Sequence, residues 1–351
     1  MRTRELWALF LDFAKQDRIT GGPDTHLDMI AHMSKELSFH EACWLAGCYT
    51  SVYNVPGGFF LWEAFPWGRM RNQRHDLEQW IAENWEGLPF RRERRAVRSV
   101  SKLTQHLTSF ADWLARWDGF STGGLTPEER YVVLWDDLES NVWGLGRYSL
   151  MKLMETFTRQ ERFNIACPDI RPIGGDSPRQ QLADLFDNPI LAKGNSEEIL
   201  IGVETAVAHL RRKTDANGVP LTMFETEVYL CEFAQALKHN QYPGRALDSE
   251  IGHYYKAAQW FGKWDGFWRI RSEMFPSWAL GENHGWENRR VELGACIPDH
   301  NYVWSDSIYD YSNTTNLAAP QRLAQPAQNG LQPICECRYS EDFNGGKVTR
   351  S

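Results

Sequence analysis

Several carboxylates and arginines follow one glycine-rich turn, and together they could perform acid–base chemistry on a charged substrate. The turn is Gly144–Tyr148, in which two glycines precede a basic and an aromatic residue. After one predicted helix and a loop come Asp169, Arg171 and Asp176. A carboxylate can take a proton from an incoming nucleophile, and a guanidinium holds phosphate oxygens through paired hydrogen bonds. These residue types indicate a general base beside an anion site, although each can equally be a turn residue or half of an ion pair.

The glycine-rich turn is predicted to open a helix. Glycine adopts positive φ and leaves neighbouring amides uncovered, and the N-terminal end of a helix favours anions. Ser177 and Pro178 then predict the start of another helix, with Ser177 as N-cap and Pro178 at the first helical position. The predicted order is turn, helix, loop carboxylate, helix. An ordinary corner between two helices, with glycines for close packing, is the alternative.

A second group of candidate residues lies downstream on two predicted helices. The first helix, Thr222–His239, carries Glu227. Arg245 lies in the loop that follows, and Lys256 lies on the next predicted helix, Asp248–Gly262. Guanidinium and ammonium groups attract phosphate and carboxylate oxygens, so Arg245 and Lys256 are candidates for an anion contact.

An early helix is predicted to be buried. Ser38–Glu41 reads as a capping box, and the helix that it opens has small and aromatic residues nearly all round. Val55–Gly58 is expected to end it. Tyr53 and Asn54, close to that end, either line a pocket or serve packing and capping. Helical patterns cover most of the chain and no alternating strand pattern is found, so the fold is expected to be mostly α.

Composition excludes some functions. The 351 residues carry a formal net charge of −8, which argues against a protein that coats DNA non-specifically but allows one local basic cleft. The dense basic run Arg91–Arg95 is either a solvated face or a phosphate contact. Seven cysteines without framework spacing predict reduced thiols in a cytoplasmic protein. We find no signal peptide and no membrane-length apolar run, so a soluble, cytoplasmic protein is expected. We find no P-loop, dinucleotide motif or zinc motif, so no cofactor is expected and no metal ligand is assigned.

The glycine-rich turn resembles the hairpin of the helix-hairpin-helix DNA glycosylases. Trp143–Ser149 matches the hairpin pattern, and Cys167–Arg171 falls near the position of the catalytic Asp in those enzymes. Tyr148 stands where the members that also cut the backbone carry Lys, so a Schiff-base lyase is not expected. This resemblance alone allows a hydrolytic DNA glycosylase or a DNA-binding protein without catalysis.

The wider order of motifs resembles one family, the phage amino acid:DNA transferases, also called α-glutamyl/putrescinyl-thymine pyrophosphorylases. The hairpin is followed by an acid–Cys–aromatic helix at 225–233 and a Gly-Arg loop at 242–248, and an early helix at 46–54 carries a Tyr with a polar neighbour. The resemblance implies a mostly α, helix-hairpin-helix glycosylase-like fold with an irregular Trp-rich C-terminal extension. The expected parts are 1–125, 126–262 and 263–351.

The family resemblance implies hypermodification of a base in DNA. A separate kinase would convert hydroxymethyluracil to a pyrophosphorylated form, and the transferase would replace pyrophosphate with the amine of an amino acid or polyamine. The target nucleotide must be flipped out of the duplex or be single-stranded. The implied partners are double-stranded or locally opened DNA containing the activated base and an amine co-substrate, with no membrane partner.

The resemblance also assigns roles to residues. Asp169 is the first choice for the general base, Asp176 is the second, and Glu227 is expected to orient the amine. The residues expected to bind DNA or substrate are Gly144, Gly146, Arg147, Tyr148, Arg171, Arg245, Lys256, Tyr53 and Asn54. Ion pairing, capping and core packing are the alternatives for these side chains.

Overall fold

The structure is a computed structural model. It describes residues 3–19, 23–90, 97–120, 124–237, 260–262, 269–270 and 273–274. Four predictions therefore lie largely or wholly outside the described residues: Arg245, Lys256, the basic run Arg91–Arg95, and the C-terminal extension. The helix predicted over 248–262 is described only at its last residues.

The described residues form helices and no strands, which confirms the mostly α fold. The helices are α1 (Thr3–Ile19), α2 (Thr25–Ser34), α3 (Phe39–Val52), α4 (Val55–Ala64), α5 (Trp67–Gln73), α6 (Leu77–Asn84), α7 (Val100–Arg116), α8 (Pro127–Asn141), α9 (Arg147–Gln160), α10 (Asp176–Phe186), α11 (Glu197–Asp215) and α12 (Met223–Ala236). Short 3₁₀ turns lie at Arg74–Asp76, Trp85–Gly87, Arg171–Gly174 and Pro189–Ala192. None of the described helices is long and apolar enough to cross a membrane.

The described residues fall into two compact units. The central unit contains residues 26–90, 97–120, 124–168 and the short pieces from 260 to 274, and the terminal unit contains residues 3–19, 23–25 and 169–237. The glycine-rich turn belongs to the central unit, and Asp169 is the first residue of the terminal unit after it. The glycosylase-like arrangement and the three-part division expected from the sequence stay predictions.

The central unit is built around α3. Every residue of α3 from Ala42 to Val52 is buried, and α4, α7 and α9 all pack against it. Two glycines permit the closest approaches. A Cβ on Gly47 would lie 2.2 Å from the Phe110 ring, and one on Gly58 would lie 2.5 Å from the Cα of Tyr49. Since a packed ring and a backbone atom cannot yield cheaply, larger residues at these positions would push the helices apart.

The end of α3 corrects one expectation from the sequence. Tyr53 ends α3 in the left-handed region at φ +50°, and the Oδ1 atom of Asn54 accepts a hydrogen bond from the Gly57 amide at 2.9 Å. Val55–Gly58 is therefore the first turn of α4 and not a loop that ends α3. Proline is tolerated there because a first-turn N–H has no partner within its own helix.

Helix starts are predicted with mixed success. Thr126 and Thr222 each form a complete capping box, at the starts of α8 and α12. Ser38 caps α3, but the Glu41 carboxylate accepts from Trp62 Nε1 at 2.6 Å instead of closing the box. The prediction of Ser177 as N-cap is wrong, because Gly175 is the N-cap of α10 and its carbonyl accepts from the amide four residues on.

The terminal unit packs α1 and α10 around α12. Phe10 and Phe13 of α1 contact Phe233, with ring centroids 5.3 Å and 5.8 Å apart. Arg179, which is 5% exposed, joins α10 to the 3₁₀ turn Pro189–Ala192 by donating to the Leu191 carbonyl at 2.9 Å. The 3₁₀ turn Arg171–Gly174, which follows Asp169, packs against α10 and α12 of the same unit.

A chain of alternating charges lies in the central unit. Lys152 Nζ lies 3.0 Å from Glu155 Oε2, and both side chains are 2% exposed. Arg159 Nη2 lies 3.1 Å from the other oxygen of Glu155, and Arg159 Nη1 lies 2.5 Å from Asp28 Oδ1. Removing charges from water is costly, and each charge here is offset by an opposite one. The chain of charges joins α9 to α2.

We predict that Glu155→Gln lowers the free energy of unfolding by about 3 kcal/mol or more, because it removes the negative charge that faces Lys152 in the interior. Denaturant unfolding of the full chain measures this. Glu204→Gln makes the same chemical change at an exposed site of α11 and should shift the free energy by less than about 0.5 kcal/mol. Equal stability of the two variants would contradict the prediction.

Candidate functional site

The glycine-rich turn is a fixed corner held by α7. Gly144 has φ +80°, a backbone conformation that other residues adopt only with strain. Two side chains of α7 contact the backbone of Trp143. His106 Nδ1 lies 2.6 Å from the Trp143 carbonyl oxygen, and the Ser109 hydroxyl accepts a hydrogen bond from the Trp143 amide at 3.0 Å. The structure therefore confirms a tight turn that opens α9, with its backbone set by side chains of another helix.

The corner presents polar and aromatic groups to solvent. Gly146 is the N-cap of α9 and supplies no side chain to the first-turn amides. Gly146 and Arg147 are exposed, and the Trp143 ring system is 40% exposed. A helix N-terminus with an arginine beside it attracts phosphate, and an exposed indole can stack on a base. This corner has the chemistry of a nucleic acid contact.

Tyrosines line the inner side of the corner. The Tyr148 hydroxyl donates to the Tyr53 hydroxyl at 2.9 Å, and their rings meet edge to face with centroids 5.6 Å apart. Behind them, His26 Nε2 lies 2.8 Å from the Tyr49 hydroxyl. The contact between Tyr148 and Tyr53 joins two residues that are 95 positions apart in the chain. The structure thus brings together two of the predicted substrate-binding residues.

Asn54 carries a buried donor next to this cluster. Its side-chain oxygen caps α4, but its Nδ2 atom has no hydrogen-bond partner within the described part of the chain. The residue is fully buried. A buried amide left without an acceptor costs about 1–3 kcal/mol. The Asn54 side chain thus keeps one buried donor that the described residues leave without an acceptor.

Asp169 and Arg171 form a pair in the terminal unit. Asp169 Oδ1 accepts from the Arg171 amide at 2.9 Å, and Asp169 Oδ2 lies 3.1 Å from Arg171 Nε. Each side chain is about one-third exposed. The ion-pair alternative considered for these residues is thus present in the structure. It fixes the orientation of a carboxylate that remains partly exposed to solvent.

Asp176 and Glu227 lie in different surroundings. Asp176 is exposed in the first turn of α10, where a negative charge is favoured by the helix dipole. Glu227 is 4% exposed on α12, against which the turn Arg171–Gly174 packs. The terminal unit thus holds Asp169, Arg171, Asp176 and Glu227, whereas the central unit holds Gly144, Gly146, Arg147, Tyr148, Tyr53 and Asn54. Arg245 and Lys256 lie outside the described residues.

Lys152, Glu155 and Arg159 were missed as functional candidates, although the sequence contained their signal. The α9 segment was interpreted as an apolar helical run. Tyr148, Lys152, Glu155 and Arg159 nevertheless recur at helical spacing, so they occupy one stripe of α9. Charged residues on a buried stripe are uncommon and often mark functional sites.

Three other buried groups are unsuited to proton chemistry. Burial raises the pKa of the Cys43 and Cys48 thiols, which lie on α3. Burial also raises the pKa of Tyr229 on α12, and the Asp17 carboxylate nearby raises it further. These groups stay protonated at neutral pH, so none of them is a ready nucleophile or base. Within the described part of the chain, no three His, Cys, Asp or Glu side chains are grouped so as to hold a metal ion.

Comparison with known proteins points to one family. The model of the family described as amino acid:DNA transferase matches residues 24–242. Comparisons with curated proteins and with solved structures give no match. The matched region includes the α3–α4 junction, the glycine corner, the Asp169 loop and α12. Because this match covers more than half of the chain, the protein belongs to the amino acid:DNA transferase family and is an enzyme that transfers an amino acid onto DNA.

Proposed function

We propose that the enzyme acts on pyrophosphorylated hydroxymethyluracil in phage DNA. The nitrogen of a free amine attacks the activated methylene carbon of the base. A carbon–nitrogen bond forms, the carbon–oxygen bond to pyrophosphate breaks, and its electron pair leaves with the pyrophosphate. The proton lost from the amine passes to a carboxylate. The product is a thymine that carries the amine on its methyl carbon.

One observation carries this proposal: the glycine corner at the start of α9. Gly146 and Arg147 are exposed there, and the corner is held in place from α7. Amides at a helix N-terminus and one arginine can grip the phosphate beside a target nucleotide. A local contact of this kind suits an enzyme whose net charge of −8 disfavours broad binding to DNA.

The reaction requires the target base to leave the stack. The methylene carbon of a base inside a duplex is not accessible to an amine held by a protein, so the nucleotide must be extruded or single-stranded. Tyr148 and Tyr53 then offer hydroxyls beside the corner, and Asn54 offers a buried amide donor for a pyrimidine carbonyl. An extruded base reaches below the surface, where such a donor is useful.

The carboxylates of the terminal unit divide the remaining roles. Asp169 is our choice for the general base, because its carboxylate is oriented by Arg171 and is partly exposed. Asp176 is the second choice. Glu227 orients the amine. Arg147 and Arg171 are each proposed to bind DNA or pyrophosphate oxygens through paired hydrogen bonds. Arg245 and Lys256 are proposed to bind pyrophosphate or the carboxylate of the amino acid.

The decisive experiment incubates the full chain with kinase-treated hydroxymethyluracil DNA and a panel of amines. The expected result is pyrophosphate release that depends on the amine, with a matching mass increase on the thymidine nucleoside. Abasic sites would instead indicate a glycosylase. DNA binding with neither product would overturn the proposed reaction.

For the general base, we predict that Asp169→Asn lowers the turnover rate by about 10²- to 10⁴-fold while DNA affinity changes little, because the amide cannot accept the proton. Pyrophosphate release and DNA binding, measured on the same preparation, separate the two effects. Asp215→Asn, an exposed carboxylate at the end of α11, is the matched control. A near-normal rate for Asp169→Asn would show that another group is the base.

For the phosphate contact, we predict that Arg147→Ala weakens DNA binding and reduces the slope of log affinity against log salt by about one, because one phosphate contact is lost. Equilibrium binding between low and moderate salt measures the slope. Arg212→Ala removes an exposed arginine of α11 and should leave the slope unchanged. If the two variants share the wild-type slope, Arg147 does not contact phosphate.

A further inference from the structure

A second concave site lies between α7 and α8. It has a volume of about 330 Å³ and is lined by residues from the end of α7, the loop after it and α8. The roles proposed above for the corner and the Asp169 loop do not involve this site. Its volume is sufficient for a ligand the size of an amino acid together with bound water.

The lining combines aromatic rings with carboxylates. Trp113 and Trp117 have ring centroids 5.3 Å apart, and Phe120 meets Trp117 edge to face at the same centroid distance. Asp118 and Asp137 also line the site. Aromatic faces together with carboxylates are the usual protein surroundings of an organic ammonium, which gains cation–π and ionic attraction at once.

One of these carboxylates is held in place by the protein. Asp137 Oδ2 accepts from Trp113 Nε1 at 2.6 Å, and Asp137 Oδ1 accepts from Asn141 Nδ2 at 2.8 Å. A carboxylate has about four acceptor positions, so the two remaining ones can still receive an ammonium. Asp118 is exposed, and its side chain makes no hydrogen bond or ion pair within the described residues. The site thus offers one fixed and one adaptable anion.

The negative charge of α8 favours a ligand with an ammonium group over a ligand with a phosphate group at this site. The helix sequence is PEERYVVLWDDLESN, with five carboxylates against one arginine. Such a surface repels the DNA backbone and raises the local concentration of cations. A nucleotide is therefore a poor occupant of this site, although its aromatic rings alone would suit a base.

Arg116 adds a requirement for a second group on the ligand. It lines the same site from the last turn of α7, it is exposed, and it makes no side-chain hydrogen bond or ion pair in the described portion of the chain. A guanidinium next to two carboxylates matches a molecule with a carboxylate and an ammonium. A simple polyamine has no group for Arg116 and would be repelled by it.

We propose that this α7–α8 site binds the free amino acid co-substrate, with Arg116 on its carboxylate and the rings of Trp113 and Trp117 with Asp118 and Asp137 around its ammonium. The inference rests on the proposed function, in which a free amine attacks the activated base. It places the ammonium and carboxylate of the amino acid on these residues instead of on Glu227, Arg245 and Lys256, and it selects an amino acid over a polyamine.

The site lies beside the corner in the same unit. Asn141 lines it and lies two positions before Trp143, one of the exposed residues of the corner. Trp113 lies one turn of α7 beyond Ser109, whose hydroxyl accepts from the Trp143 amide. An amino acid held here is therefore close to a DNA strand that the corner grips.

The first test measures binding without DNA. Titration calorimetry of the full chain with each common amino acid, and separately with putrescine, should show saturable binding of at least one amino acid and weaker binding of putrescine. Asp118→Asn and Trp117→Leu should each weaken that binding about tenfold. Glu139→Gln, the same charge change on an exposed part of α8 outside the site, should have no effect.

The second test uses turnover. Asp118→Asn should raise the KM for the amino acid about tenfold, with kcat and DNA affinity unchanged. Arg116→Gln should raise the KM for an amino acid but should not raise the KM for putrescine. If the wild-type enzyme turns over and these variants keep its KM, the site is not the amine site while the proposed reaction stands. If amino acids bind at this site but no DNA product forms, the proposed reaction is contradicted and the assignment of the amino acid site is supported. Tighter binding of putrescine than of every amino acid would overturn the assignment.

Discussion

The central unit depends on one constraint: α3 has no face left for water from Ala42 to Val52. A helix that is apolar all round must be covered on every side, so α4, α7 and α9 are each positioned by contact with it. Gly47 and Gly58 set how closely two of these contacts approach. The corner sits at the start of α9 and is held from α7, so its location follows from how both helices pack on α3. The position of the corner thus follows from the packing of the core.

The charges of the molecule are arranged locally rather than globally. The chain is acidic overall, yet the corner exposes Arg147 and a helix N-terminus. In the interior, Lys152 and Glu155 neutralise each other at 3.0 Å. α8 carries most of its charge as carboxylates. The local charge thus differs between surfaces: it is positive at the corner and negative along α8.

Local chemistry explains which parts of this fold could be predicted from the sequence. The helix start at Thr222 and the tight turn at Gly144 depend on residues adjacent in the chain, and the structure confirms them. Val55–Gly58 was interpreted as a helix terminator, because proline and glycine interrupt helices when nothing else is known. The close approach of Gly58 to Tyr49 is a tertiary contact that no local pattern contains.

The candidate site was predictable to a similar extent. The pair of Asp169 and Arg171 is local and was foreseen as an alternative, whereas the bond between Tyr148 and Tyr53 spans 95 positions. The charges on α9 were visible in the sequence, but their burial was not. The aromatic site between α7 and α8 joins two predicted helices, and only their packing shows that Trp113 reaches Asp137.

The junction between α3 and α4 has a consequence for recognition. Tyr53 and Asn54 are consecutive caps, so the two helices meet with no intervening loop. The left-handed backbone at Tyr53 costs about 1 kcal/mol, which the packed helices on either side sustain. Because no flexible linker joins the two helices, the protein would lose little conformational entropy when a ligand docks against these two side chains. The Tyr53 and Asn54 side chains are thus preorganised by a strained backbone that the packing of α3 and α4 maintains.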